Sequence, residues 1–111
     1  MATIKEDYCS KEIYRLLIEK GFDGEIHTTF DEEGYTQPSI THQMAMKWLR
    51  KVHNIVIEIR VSHHFKIFDG YSAEFVKIGG DVSYDYYLLN NKRTYEEVVE
   101  AAIKYALENL I

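Results

Sequence analysis

This chain has one cysteine, Cys9, and so no partner for an internal disulfide. A reducing compartment is the expected environment, because disulfides belong to oxidising ones. Long apolar runs are missing as well. None approaches the roughly 18 residues that a membrane span needs, and Met1–Asp7 holds no apolar stretch of the kind found in a secretory leader. The expectation is a cytoplasmic protein without a membrane partner. Proline occurs once, at Pro38, and 46% of the residues are hydrophobic, which sets the chain apart from polar, proline-rich disordered sequences. Positive charge is in short supply. Thirteen Lys and Arg against eighteen Asp and Glu give a net charge of −5, so the summed field repels phosphate backbones and anionic lipid.

What is present fits one domain spanning residues 1–111. A chain of 111 residues buries roughly two-thirds of its unfolded surface, enough for a single core. Ser10–Gly21 predicts a first helix, with Ser10 as N-cap, Gly21 just past the end, and Ile13, Leu16, Leu17 and Lys20 at helical spacing. Gly24–Phe30 predicts a strand with Ile26, Thr28 and Phe30 on one face. Asp31–Pro38 is polar, holds a glycine and the proline, and predicts the most exposed loop. A second helix is expected from Ser39 or Thr41 to Val52, its buried stripe made of Met44, Ala45, Trp48, Leu49 and Val52. Lys47, Arg50 and Lys51 lie off that stripe, and basic residues at a helix C-terminus complement its dipole without any ligand.

Ile55–Val61 alternates, with Ile55, Ile57, Ile59 and Val61 on one face and Glu58 and Arg60 on the other. Two further strands are expected at Tyr71–Ile78 and Tyr84–Leu89, separated by a turn at Gly79-Gly80-Asp81; the three together form an antiparallel meander. The last helix opens on Thr94-Tyr95-Glu96-Glu97, a capping box, and carries Tyr95, Val98, Val99, Ala102, Ile103, Ala106, Leu107 and Leu110 as its apolar stripe. The predicted class is α+β in two layers: helices packed on a small, mostly antiparallel sheet of about four strands, in the order α-β-α-β-β-β-α. Trp48, Leu49, Ile57, Ile59, Ala102 and Ala106 are the predicted core.

Two blocks, Thr41-His42-Gln43-Met44-Ala45-Met46-Lys47-Trp48-Leu49-Arg50-Lys51-Val52-His53 and Tyr95–Ile111, resemble those of a family of small proteins from gut bacteria and their phages. The resemblance covers the second helix, the strand after it and the last helix. It implies no activity and no functional residues. The stretch from His63 to Ser83 lies outside the resemblance and is where partner specificity is expected to vary.

The polar residues offer little chemistry by spacing alone. His27, His42, His53, His63 and His64 show no zinc-ligand spacing, and adjacent His63 and His64 point to opposite faces of a strand. Ordinary surface or strand-end histidines are expected, and no metal. Cys9 precedes a helix, where a thiol can be activated, yet no base or oxyanion site is signalled beside it, and a small buried cysteine is the expectation. Asp31, Glu32 and Glu33, with Asp23 and Glu25 nearby, lack the alternating ligands of an EF-hand. There is no glycine-rich phosphate loop. Neither catalytic residues nor a cofactor are expected.

The one excess is aromatic: Phe65, Phe68, Tyr71, Phe75, Tyr84, Tyr86 and Tyr87 crowd the meander. Core packing accounts for about half of them. Tyrosine is also favoured at protein interfaces, where a rigid ring and a hydroxyl add contact area at small entropic cost. The expected function is therefore a non-catalytic protein-interaction module. It would bind another protein or a second copy through Tyr35, Tyr71, Tyr84, Tyr86 and Tyr87 and the loop Asp31–Pro38, and the resemblance adds an accessory role for a phage or mobile element. The alternative is single-stranded nucleic-acid binding, bases stacking on Tyr84 and Tyr86 with Arg60, Lys66, Lys77, Lys92 and Arg93 supplying charge. A small enzyme using Cys9 or the histidines ranks third.

Overall fold

The structure is a computed structural model and describes residues 6–79, 88–90 and 94–111. Its elements run α1 (Lys11–Glu19), β1 (His27–Phe30), β2 (Thr36–Ser39), α2 (His42–His53), β3 (Ile55–His64), β4 (Ile67–Lys77), β5 (Leu88–Asn90) and α3 (Tyr95–Asn109). The α+β class stands. The order gains a strand, and the single sheet becomes two: an antiparallel ribbon β1-β2 and a three-stranded antiparallel sheet β3-β4-β5.

The extra strand takes up the last three residues of the expected loop, 36–38. Asp31 closes a tight turn, its carboxylate accepting from the amides of Glu33 and Tyr35 while its own amide donates to the Tyr35 carbonyl. Gly34 takes a φ of +88°, which suits a residue without a Cβ. The chain then returns along β1, pairing His27 with Ser39 and Phe30 with Thr36, and Pro38 is accommodated because β2 has no strand beyond it among the described residues. The expected inward face of β1 is reversed. Ile26, Thr28 and Phe30 are exposed while His27 and Thr29 are half-buried, the latter held by a 2.8 Å hydrogen bond between its hydroxyl and that of Ser39.

Local signals place the helices well. Ser10, Thr41 and Thr94 are the N-caps, and Thr94 and Glu97 exchange both bonds of the capping box. At the end of α2, Asn54 adopts the left-handed conformation (φ 58°), which asparagine tolerates better than most residues, and its carbonyl receives the Ile78 amide. α3 touches α1, α2 and all three strands of the larger sheet, so its stripe forms the middle of the core. Val98, Val99, Ala102, Ile103, Ala106 and Leu107 are buried there with Ile13, Leu17, Leu49, Ile55, Ala73 and Phe75. Two expectations need correcting. Ile57 and Ile59 are only partly buried, packing against the core's margin, and Val52 is exposed, while His42 at the start of α2 is buried.

The β3-β4 hairpin is longer than the sequence suggested. It turns at Phe65-Lys66, with Phe65 at φ 57°, and its register slips between Val61 and His63. The slip lies beyond Val61, which still pairs in register with Tyr71; Val61 is 59% exposed because burial fades along this face of β3, from Ile55 at 1% through the partly buried Ile57 and Ile59. Among the described residues β5 pairs Leu88–Asn90 with Tyr71–Ala73. The rest of the expected strand Tyr84–Leu89 lies outside the described residues, as does the turn beyond Gly79.

The end of α2 carries a pH response. His53 packs edge-on against Trp48, ring centroids 4.7 Å apart, and its Nε2 is buried with no hydrogen-bond partner among the described residues. Burial first, then the charges of Lys77 and Lys20, push its pKa below the ordinary 6.5. A folded pKa below the unfolded one makes this contribution complete above about pH 6.5, and it is lost as the pH falls toward the folded value. His53→Phe keeps the ring and removes the titration. Urea midpoints measured between about pH 7.5 and pH 5.5 should fall more for the native chain than for the variant; parallel curves would dismiss His53 as the source.

Candidate functional site

The residues expected to form an interface are not gathered at one place. Tyr35 stands at the β1-β2 turn, 72% exposed. Tyr71, on β4, is half-buried, with Phe68 and Tyr95 both packed edge-to-face on it at 5.3 and 5.5 Å between centroids. Tyr71 is thus already engaged by two aromatic neighbours of its own chain. Tyr84, Tyr86 and Tyr87 lie outside the described residues.

Two features that the sequence did not announce emerge on the larger sheet. Along the distal hairpin, Val61, Ile67 and Phe68 are 59%, 72% and 59% exposed, and Phe65 at the turn 84%. Beside the proximal half lies an open cleft of about 500 Å³ lined by Glu25 and His27, by Met44, Met46, Lys47 and Arg50 of α2, and by Val56 and Ile57. Neighbouring residues of a strand point to opposite faces, so a cleft that meets both Val56 and Ile57 wraps the edge of β3. That edge, ten residues long and facing away from β4, carries no strand among the described residues. Arg60, on the same strand, lies 3.1 Å from the Glu58 carboxylate and 2.5 Å from the buried one of Glu74, so one guanidinium bridges two carboxylates of the hairpin.

A second locus joins three side chains that no local spacing relates. The segment before α1 runs beside the start of α2: the Cys9 amide donates to the Ile40 carbonyl at 2.8 Å, and the His42 amide to the Asp7 carbonyl at 2.9 Å. This pairing sets Cys9 beside His42. Glu100 arrives from the flank of α3, with His42 Nε2 at 2.5 Å from its Oε2 and the Ser10 amide donating to its Oε1 at 2.7 Å. Cys9 and His42 are buried and Glu100 is half-buried, and one donor atom from each lies within 4.8 Å of the others.

The electrostatics of this locus argue against a nucleophilic cysteine. Burial, then the neighbouring Glu100 charge, pushes the Cys9 thiol up to about 12, so it is not a thiolate near neutral pH. Burial alone would raise the Glu100 carboxyl, but its bonds from His42 and Ser10 outweigh that and hold it below the ordinary range. His42 and Glu100 open onto a cleft of about 520 Å³ that Asp7, Glu96 and Glu97 also border, with Lys104 held 2.8 Å from Glu12 at its rim. Comparison with protein-family models, with curated proteins and with solved structures gives no match.

Proposed function

We propose that the chain is a non-catalytic protein-interaction module that takes up an extended segment of another protein along the outer edge of β3. The observation carrying this reading is the ten-residue β3, whose outer edge has no strand beside it among the described residues and which ends in a hairpin of exposed apolar side chains. An added strand gains its affinity from backbone hydrogen bonds and its selectivity from alternate side chains. The cleft beside Val56 and Ile57 offers those side chains Met44 and Met46, thioethers that adapt their shape to what they meet. Lys47 and Arg50 of α2 border the same cleft together with Glu6, while Glu25 is engaged by His27 at 2.7 Å, so an acidic residue in the incoming strand is favoured beside α2. Val61, Ile67 and Phe68 extend the apolar contact beyond it. The resemblance to phage-borne proteins makes a host protein the partner class. A nucleic-acid role is disfavoured by the net charge and by the neighbours packed on Tyr71.

The test is selection of linear peptides from a display library on the immobilised chain. Binders should alternate apolar residues at a spacing of two and carry an acidic residue, and Val61→Lys, a charge of the kind that guards natural edge strands, should weaken them on the order of tenfold or more while leaving the melting curve nearly unchanged. Selection of peptides with helical periodicity, retention of single-stranded oligonucleotides in place of peptides, or equal binding to the Val61→Lys variant would each overturn the reading.

A further inference from the structure

We infer that Cys9, His42 and Glu100 form a binding site for one transition-metal dication, zinc foremost, which ties the segment before α1 to α2 and α3. The three donors come from three parts of the chain and already lie within 4.8 Å of one another. Zinc bonds of about 2.0–2.3 Å in tetrahedral array place ligand atoms roughly 3.3–3.8 Å apart. Admitting the ion therefore asks the His42–Glu100 pair to open from 2.5 Å and any wider pair to close by at most about an ångström, adjustments within side-chain reach. Thiolate, imidazole and carboxylate together suit zinc or cobalt, and a hard cation such as magnesium or calcium poorly.

The surroundings are those of a supported site. The bond from the Ser10 amide fixes one oxygen of Glu100 and leaves the other aimed at His42, the outer-shell arrangement that orients metal ligands. The backbone pairing of Asp7–Cys9 with Ile40–His42 holds the other two ligands in register. The cleft onto which His42 and Glu100 open leaves a fourth position for water, and the carboxylates bordering it attract a cation. This inference goes beyond the interaction reading and does not depend on it.

Cobalt(II) titrated into the full chain after chelator treatment is the decisive experiment. The expected result is one ion per chain, with a near-ultraviolet thiolate-to-cobalt charge-transfer band and the visible bands of tetrahedral cobalt, all removed by added zinc. Cys9→Ser should abolish the charge-transfer band, and Glu100→Gln should weaken binding by more than the roughly 10–100-fold that outer-shell partners cost. Circular dichroism of each variant separates lost ligation from lost fold. If Cys9→Ser does not fold, protection of the native Cys9 thiol from alkylation by stoichiometric zinc takes its place. Absence of the charge-transfer band in the native chain, its survival in a folded Cys9→Ser variant, or alkylation of Cys9 at the same rate with and without zinc would overturn the inference.

Discussion

Ala102→Asp should leave the chain without a cooperative thermal transition. Ala102 is fully buried in α3, the helix that touches α1, α2 and every strand of the larger sheet, and the Cβ it presents faces the middle of the core. A carboxyl group placed there finds no partner. Ionised, it suffers the cost of an unpaired buried charge; protonated, it still loses its hydrogen bonds to water and overfills a site shaped for a methyl group. The sum is several kcal/mol at least, against a total stability of about 5–15 kcal/mol for a domain of this kind. Ala102→Gly is the control: it costs about 1 kcal/mol of helix propensity and should keep a sharp melt at a lower temperature. Circular dichroism melts of the two variants decide the matter, and a cooperative Ala102→Asp transition near the native temperature would mean that α3 does not lie where the structure places it.

That helix was the part of the fold most legible in the sequence, because its signals are local. A capping box needs four consecutive residues and an apolar stripe needs a few turns, so neither depends on what the rest of the chain does. β1 and β2 were harder for the opposite reason. Pro38 and the acidic run pointed to a loop, and only the pairing of Thr36–Ser39 with His27–Phe30 turns the last three residues of that loop into strand. The alternation of Ile26, Thr28 and Phe30 predicted the wrong inward face because a two-stranded ribbon at the margin does not have to bury its apolar side. Likewise the periodicity of β3 correctly marked a strand but could not reveal where along it the core ends, short of Val61.

The cluster of Cys9, His42 and Glu100 was illegible for a deeper reason. Metal and catalytic motifs are readable when a single turn or helix fixes their spacing; here positions 9, 42 and 100 meet only because the segment before α1 pairs with Ile40–His42 and α3 packs over both. Each residue read alone had a bland explanation, and each explanation was reasonable. One signal was available. A histidine in the first turn of an amphipathic helix, next to the N-cap Thr41, stands on the side that proves to be buried, and a buried histidine implies a hydrogen-bonding partner somewhere else in the chain.

Phe75→Ala is expected to cost about 3–5 kcal/mol, and Phe68→Ala no more than about 1 kcal/mol, although both are phenylalanines on β4. Phe75 is 1% exposed, packed against Tyr105 with ring centroids 5.2 Å apart, and its loss opens a cavity between the sheet and α3 that backbone on both sides keeps from collapsing. Phe68 is 59% exposed and gives up mainly its edge contact with Tyr71. In a chain of this length the first change should lower the melting temperature by on the order of 15 °C and the second by a few degrees. The comparison bears on function as well as packing. The aromatic excess of the hairpin has two physical explanations, burial and docking, and the structure assigns Phe75 to the first. If Phe68→Ala proves as destabilising as Phe75→Ala, the hairpin tip is part of the folded core and an exposed apolar docking surface there is lost. If it is nearly silent in stability while peptide binding falls, the chain keeps an aromatic side chain in water that folding does not require, which is the condition the interaction reading needs.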